Sequence, residues 1–110
     1  MSGQSPADIE GVVALHALAE YQPGSVVSRT ILKRPAGTVT AFAFDGGEGL
    51  SEHTAAFDAL VIVTDGSAEI TVDSHPHRLS AGEVLRLPAG RPHAVKAVTR
   101  FKMLLVMIRD

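Results

Sequence analysis

The sequence contains no cysteine, no tryptophan and only one tyrosine. Without cysteine, the chain can form no disulfide and has no thiolate to serve as a nucleophile, a redox centre or a metal ligand. Nucleic-acid binding usually relies on aromatic side chains stacked along a basic groove. This chain has a formal net charge of −2, with its charges scattered, so we expect no nucleic-acid partner.

The sequence also lacks long hydrophobic runs. No stretch approaches the roughly 18 uninterrupted apolar residues of a membrane span, and the N-terminal sequence MSGQSPADIE has neither the basic nor the apolar region of a signal peptide. We therefore expect a cytoplasmic protein without a membrane partner. The chain has 110 residues, 45% of them hydrophobic, which suffices for one core. We predict a flexible N-terminus at residues 1–8 and a single domain at residues 9–110.

Short runs of β-forming residues separated by turn signals fill most of the chain. They predict strands at residues 26–33, 38–44, 50–53, 60–64, 68–72, 77–79, 83–87, 93–98 and 101–108. This pattern predicts an all-β sandwich or barrel. Asp65-Gly66 is a hairpin signal, so the strands on either side of it are expected to pair. Residues 9–21 fit either a short helix or an edge strand that lies over one end of the barrel.

A turn that ends in a histidine lies near the end of the chain. Gly82 is followed after five residues by Pro88, then by Gly90 and, after two more residues, by His93. Proline ends a strand because it has no N–H, and glycine allows the reversal because it accepts positive φ. The turn should therefore hold His93 at the first position of the next strand. An earlier set of glycine and histidine residues comprises Gly47, His53 and Gly66.

The spacing within these two sets resembles the two sequence motifs of the cupin superfamily. The resemblance implies a jelly-roll β-barrel, also called a double-stranded β-helix, of antiparallel strands. It also implies a divalent metal ion held by three histidines and one glutamate. Of those four positions the sequence keeps His53 and His93, whereas Ala55 and Ala59 occupy the other two. The metal site implied by the resemblance is therefore degenerate.

A metal ion would need a third protein ligand, because two neutral imidazoles alone bind Zn, Fe, Mn or Ni weakly. Candidates outside the motif positions are His16, Glu52, Asp58, His75 and His77. Strand alternation sends Glu52 and Asp58 to the face opposite the ligand positions, and Asp58 is expected to cap a turn. The hairpin that carries His75 and His77 is expected to lie far from the motif histidines, with both side chains in solvent. His16 is expected to be structural.

The two alanines are expected to leave a pocket between the sheets. The residues predicted to bind a ligand there are His53, His93, Phe42, Phe57 and Met103, although such large side chains could equally fill the space. One hypothesis is a module that binds a small polar or anionic ligand, with metal weakly held or absent. The alternative is a metal-dependent enzyme of the dioxygenase, isomerase or decarboxylase type that uses His53, His93 and waters or a third ligand. A metal-free acid–base enzyme lies between these two hypotheses.

The last predicted strand is apolar on both faces. Its second face carries Leu104, Val106 and Ile108, and Leu60 and Ile62 of another strand add to it. A lone domain rarely exposes such a patch. Either the N-terminal segment of the same chain or a second copy of the chain should cover it. Because small cupins commonly pair through such a face, the resemblance favours a homodimer.

Overall fold

The computed structural model describes residues 8–109. All the predicted strands are present, and their bounds lie within two residues of the predicted ones. The strands are β1 (Val26–Arg34), β2 (Gly37–Phe44), β3 (Gly49–His53), β4 (Asp58–Asp65), β5 (Ser67–Val72), β6 (His75–Ser80), β7 (Val84–Leu87), β8 (His93–Ala97) and β9 (Phe101–Ile108). The all-β class predicted from the sequence is confirmed.

Two antiparallel sheets form a jelly-roll barrel. One sheet has the strand order β1-β2-β9-β4-β7, and the other has the order β3-β8-β5-β6. The inward residues of both sheets make the main core, in which Phe44, Phe101, Ile70 and Val61 are fully buried. The rings of Phe44 and Phe101 stack with their centroids 4.5 Å apart. Burying one such side chain stabilises the fold by about 1.5–3 kcal/mol.

The chain crosses from one sheet to the other at Gly66. β4 pairs with β7 and β9, whereas β5 pairs with β6 and β8, so the hairpin predicted from Asp65-Gly66 is wrong. The sharp bend itself is present, because Gly66 has a φ of +69°. The bend passes so close to the backbone of Arg100 and Phe101 that a Cβ atom at position 66 would overlap with it.

Residues 9–21 run across the outer face of the five-stranded sheet. They contain one 3₁₀ turn, Leu15–Ala17, and are otherwise irregular. Leu18 and Ala19 pack against Ala41 and Ala43 of β2. The predicted short helix is therefore present as a single 3₁₀ turn. The segment lies on the outer face of the sheet and not, as predicted, over one end of the barrel, because its apolar residues pack against β2. Among the described residues, no helix has the length and apolar character that crossing a bilayer requires.

Polar contacts hold both ends of this segment. The Asp8 carboxylate accepts hydrogen bonds from the backbone N–H of Lys33 and, at 2.8 Å, from the guanidinium of Arg34. At the other end, the hydroxyl of Tyr21 donates to Asp65, and burial together with this carboxylate raises the pKa of Tyr21. Asp8, which makes these contacts, is the last residue of the N-terminus predicted to be flexible. The remainder of that prediction, residues 1–7, lies outside the described residues.

The N-terminal segment covers only part of the outer face of the five-stranded sheet. It packs against Leu104, but a set of aliphatic side chains farther from β1 lies beyond it. This outer apolar patch consists of Leu60, Ile62, Val84, Val106 and Ile108. Val84 and Ile108 each keep 56% of their surface exposed. The sequence predicted that either the N-terminal segment or a second copy of the chain covers this face. Residues 9–21 cover only the part of it near β1 and β2.

Candidate functional site

A bulge in β3 turns His53 into the barrel. Leu50 pairs with Val95 and packs against the main core. Regular alternation would send a side chain three residues later to the opposite face. The pairing between β3 and β8 shifts register between Leu50 and His53, so His53 also faces inward.

The turn before β8 places His93 as predicted. His93 is the first residue of β8, and only 6% of its surface is exposed. Gly90 in the turn has a φ of +77°, and its N–H donates to the carbonyl of Ala55 at 2.8 Å. This hydrogen bond ties the turn to the loop between β3 and β4. Both histidines are thus positioned by the backbone of strands that pair directly.

The two imidazoles meet inside the barrel. Their ring centroids lie 4.3 Å apart, and the Nε2 atoms of His53 and His93 are separated by 3.1 Å. Nδ1 of His53 donates to the carbonyl oxygen of Ser51 at 3.0 Å, because a carbonyl oxygen can only accept. Nδ1 of His93 faces the carbonyl oxygen of Arg91 in the same way, at 3.3 Å. Which ring donates in the Nε2 contact is therefore set by the tautomers of the two imidazoles. His93 is buried, whereas His53 is exposed at the mouth of the barrel.

Burial lowers the pKa of His93. The neighbouring imidazole of His53 lowers it further, while the contact of His93 Nδ1 with the carbonyl of Arg91 acts in the opposite direction. A proton on every nitrogen would also set two N–H groups against each other at the 3.1 Å contact. His93 therefore resists protonation in the folded chain.

We expect thermal stability to fall as the pH drops through the ordinary histidine pKa of about 6.5. In that range the unfolded chain takes up a proton at residue 93 more readily than the folded chain, so the free energy of unfolding decreases with falling pH. The melting temperature of the His93→Gln variant should depend less on pH than that of the wild type between about pH 7.5 and 5.5. The matched variant His75→Gln, at an exposed strand position, should keep the wild-type slope. Equal slopes for wild type and His93→Gln would contradict this expectation.

The donors at this site do not fit a resident metal ion. Ala55 and Ala59 provide no donor atom, and the described residues contain no group of three or more His, Cys, Asp or Glu that could hold a metal. Metal sites in proteins normally offer at least three protein ligands around one point. Here the two available Nε2 atoms are already in hydrogen-bond contact with each other. We assign no metal-dependent step to this pair.

Three of the candidate ligands outside the motifs lie elsewhere. Asp58 accepts a hydrogen bond from the backbone N–H of Ala89 at 2.7 Å, which confirms the predicted capping role. Glu52 is exposed. His16 lies on the outer face of the other sheet, where its carbonyl oxygen accepts a hydrogen bond from Lys102. None of these three side chains joins the histidine pair.

The β5–β6 hairpin lies at the same end of the barrel as the histidine pair. His75 pairs with Val72, which in turn pairs with His93, so these residues share one row of the four-stranded sheet. The prediction that this hairpin lies far from the motif histidines is therefore wrong. Two strand spacings of about 4.8 Å still separate His75 from His93. The side chains of His75 and His77 are exposed, as predicted.

The aromatic and methionine residues predicted to bind a ligand lie in different environments. Phe42 faces inward and is half-buried against the core. Phe57 lies in the loop between β3 and β4, with the guanidinium of Arg109 5.9 Å from its ring centre. Met103 is only 2% exposed and packs inside the core. This burial corrects the assignment of Met103 to the ligand site, because a ligand could reach it only by displacing core side chains.

Part of the barrel interior is open to solvent. Leu105 faces inward from β9, which lies between β2 and β4, yet it stays half-buried while its neighbour Val61 is fully buried. Solvent can reach such a side chain only from the space between the sheets. The inward residues around it are also half-buried; they are Thr38, Thr40, Phe42 and Met107. We call these four residues and Leu105 the open half of the barrel.

Sequence reasoning missed the two threonines of this region. Thr38 and Thr40 alternate with Val39 and Ala41 along β2 and share the face of Phe42. The pairing of β2 with β9 is regular over its whole length, so this face is continuous. The alternation of residues along β2 already indicated that the two threonines share a face with Phe42. Threonine is a common strand residue, however, so its presence alone does not indicate a binding site.

Comparison with known proteins identifies the family. The family model described as a cupin domain matches residues 41–109. A conserved protein of unknown function from Streptococcus pyogenes is 34% identical with a TM-score of 0.90, and the match covers 100% of this chain and 96% of that one. A cupin superfamily protein from Desulfitobacterium hafniense DCB-2 is 31% identical with a TM-score of 0.86, and the match covers 93% and 94% of the two chains.

A third similar structure is larger than this chain. The Cupin 2 conserved barrel domain protein from Leptotrichia buccalis is 41% identical with a TM-score of 0.83, over 86% of this chain and 46% of that one. A search of curated proteins finds no match. The domain match and the whole-length similarity to solved structures show that this chain belongs to the cupin superfamily.

Proposed function

We propose that this protein binds a small polar or anionic molecule in the open half of the barrel, beside His53 and His93, with metal weakly held or absent. The observation that carries the proposal is the exposure of Leu105, an inward residue on an interior strand. A concave, largely apolar space with a few polar groups is the usual form of a small-molecule site. The histidine pair supplies polar groups on one wall of this space.

The exposed histidine of the pair is the one that a ligand can contact from solvent. His53 lies on β3, an edge strand of its sheet, whereas His93 is buried on β8. A ligand can contact an imidazole nitrogen of the pair by replacing the Nε2 contact between the rings. Giving up that hydrogen bond costs about 1 kcal/mol, which a new hydrogen bond from the ligand can offset.

Nuclear magnetic resonance of ¹⁵N-labelled protein tests this proposal. Two probes of similar size, the neutral isobutyramide and the anionic isovalerate, should shift the amide signals of Phe42, His53 and Leu105. The His53→Ala variant should weaken these shifts, and His75→Ala, at an exposed position on β6, the opposite edge strand of the same sheet, should not. Shifts confined to the outer surface with both probes would refute the proposal. So would one tightly held metal ion per chain in purified, metal-supplemented protein.

We also propose that the outer apolar patch pairs with the patch of a second copy. The patch has charges of both signs at its edge, since Arg86 and Asp58 line the same crevice as Leu60 and Ile108. A two-fold axis can place each arginine opposite the partner's aspartate while the aliphatic rows meet. Two sheets packed face to face are a common arrangement.

A charge in the middle of the patch tests the pairing. Val106 lies between Val39 and Leu60 on neighbouring strands, so Val106→Lys should convert a dimer into a monomer in analytical ultracentrifugation. Thr71→Lys, on the outer face of the other sheet, serves as the control and should leave the mass unchanged. A wild-type protein that sediments as a monomer at high micromolar concentration would contradict the homodimer.

A further inference from the structure

The wall of the barrel opposite the histidine pair carries a polar row. Thr38 and Thr40 face inward from β2, and Lys33 of β1 pairs directly with Thr38. Side chains of directly paired residues lie on the same side of a sheet. The row therefore presents two hydroxyl groups and one ammonium group on the inner face, at the edge of the barrel mouth.

These polar groups have no protein partner among residues 8–109. No hydrogen bond involves the hydroxyls of Thr38 or Thr40, and no ion pair involves the ammonium of Lys33. No buried side-chain nitrogen or oxygen lacks a partner there, so both hydroxyls are accessible to solvent. Valine has the same shape as threonine and would pack at least as well on an inward strand position.

The neighbouring cations are engaged elsewhere. Arg34 pairs with Asp8, Arg91 pairs with Asp73, and Arg109 lies over an aromatic ring. Of the acidic groups at this end, Asp58 accepts the Ala89 N–H, and the Asp8 carboxylate beside Lys33 binds the backbone N–H of Lys33 and the guanidinium of Arg34. Lys33 is thus the cation left available on the inner face, beside two free hydroxyl donors.

We infer that Lys33, Thr38 and Thr40 form the second half of the ligand site, and that its ligand is a small organic carboxylate with a short apolar tail. The inference rests on the proposed function and adds the chemical class to it. An ammonium and hydroxyl groups together donate hydrogen bonds to a carboxylate. Leu105 and Met107 next to the threonines provide an apolar surface for the tail.

The test is a titration of ¹⁵N-labelled protein with sodium isovalerate. Its dissociation constant should rise at least about fivefold in Thr40→Val and in Lys33→Gln, the effect of losing one hydrogen bond of about 1 kcal/mol. The matched controls Thr71→Val and Lys96→Gln, both on the outer face of the other sheet, should bind as the wild type does. Acetate, which lacks the branched tail, should bind more weakly than isovalerate.

Thermal unfolding separates a binding effect from a folding effect. The melting temperature of Thr40→Val should equal or exceed that of the wild type, because the substitution removes an unpartnered hydroxyl and keeps the shape. A variant that binds poorly but melts no earlier has lost a ligand contact and not its fold.

The outcomes distinguish this inference from the proposed function. Isovalerate that binds in the interior with wild-type affinity in both Lys33→Gln and Thr40→Val would overturn the carboxylate site and leave the proposed function intact. Interior shifts with isobutyramide and none with isovalerate would have the same meaning. The absence of interior shifts with either probe would overturn both.

Discussion

Replacing Gly66 by alanine should destabilise the fold by about 3–5 kcal/mol. Two costs add at this position. Its φ of +69° lies in the left-handed region, which costs a residue with a Cβ about 1–2 kcal/mol. The Cβ atom would also overlap the carbonyl of Arg100, a backbone atom that cannot move aside without disturbing β9.

A second glycine separates the two costs. Gly47 has a φ of +82°, but a Cβ atom there would meet nothing within 4 Å. Gly47→Ala should therefore show only the conformational cost of about 1–2 kcal/mol. Chemical denaturation of wild type and both variants measures the difference. If Gly66→Ala and Gly47→Ala lose the same free energy of unfolding, the close approach at Gly66 is not what makes glycine necessary there.

The bend at Gly66 also shows where local sequence signals stop being sufficient. Asp65-Gly66 has the composition of a hairpin turn, and it does mark a sharp bend with positive φ. Whether the next strand folds back onto its predecessor or crosses to the other sheet depends on which edges are free. β4 is already paired on both sides, by β7 and β9, so β5 has no place beside it.

The strands themselves could be predicted because each run is short, rich in β-forming residues and bounded by glycine or proline. The position of His53 could not be derived from alternation. Leu50 and His53 are three residues apart, and strict alternation puts them on opposite faces. Only the register shift within β3 brings both inward. The resemblance of the motifs gave the right side for His53, and the structure gives the reason.

Only part of the candidate site could be predicted from the sequence. His53 and His93 were identified because the spacing of the glycine, proline and histidine residues around them resembles the two cupin motifs. Lys33, Thr38 and Thr40 carry residue types that usually mean an exposed strand face, and their shared position depends on the β1–β2 pairing across a bulge between Thr30 and Leu32. That pairing is a property of the assembled sheet.

Restoring the family's missing donors should create a metal site on the order of a thousandfold tighter, or about 4 kcal/mol. The double variant Ala55→His, Ala59→Glu adds one imidazole and one carboxylate to His53 and His93, which completes the set implied by the cupin motifs. Ala59 is 5% exposed and packs inward with the core, so a side chain there points between the sheets. Four converging ligands meet the usual requirement for Zn²⁺ or Ni²⁺.

Stability without and with metal gives the clearest readout of this gain. In the absence of metal, the buried carboxylate of Ala59→Glu should lower the melting temperature, because an unpaired charge is costly in an apolar environment. Zn²⁺ at a hundred times its dissociation constant should then restore about 2.7 kcal/mol in the double variant. The wild type and each single variant should respond far less, since each lacks at least one donor. A wild-type protein stabilised by Zn²⁺ as strongly as the double variant would mean that the two histidines recruit further ligands, and the structural reason for weak metal binding would be wrong.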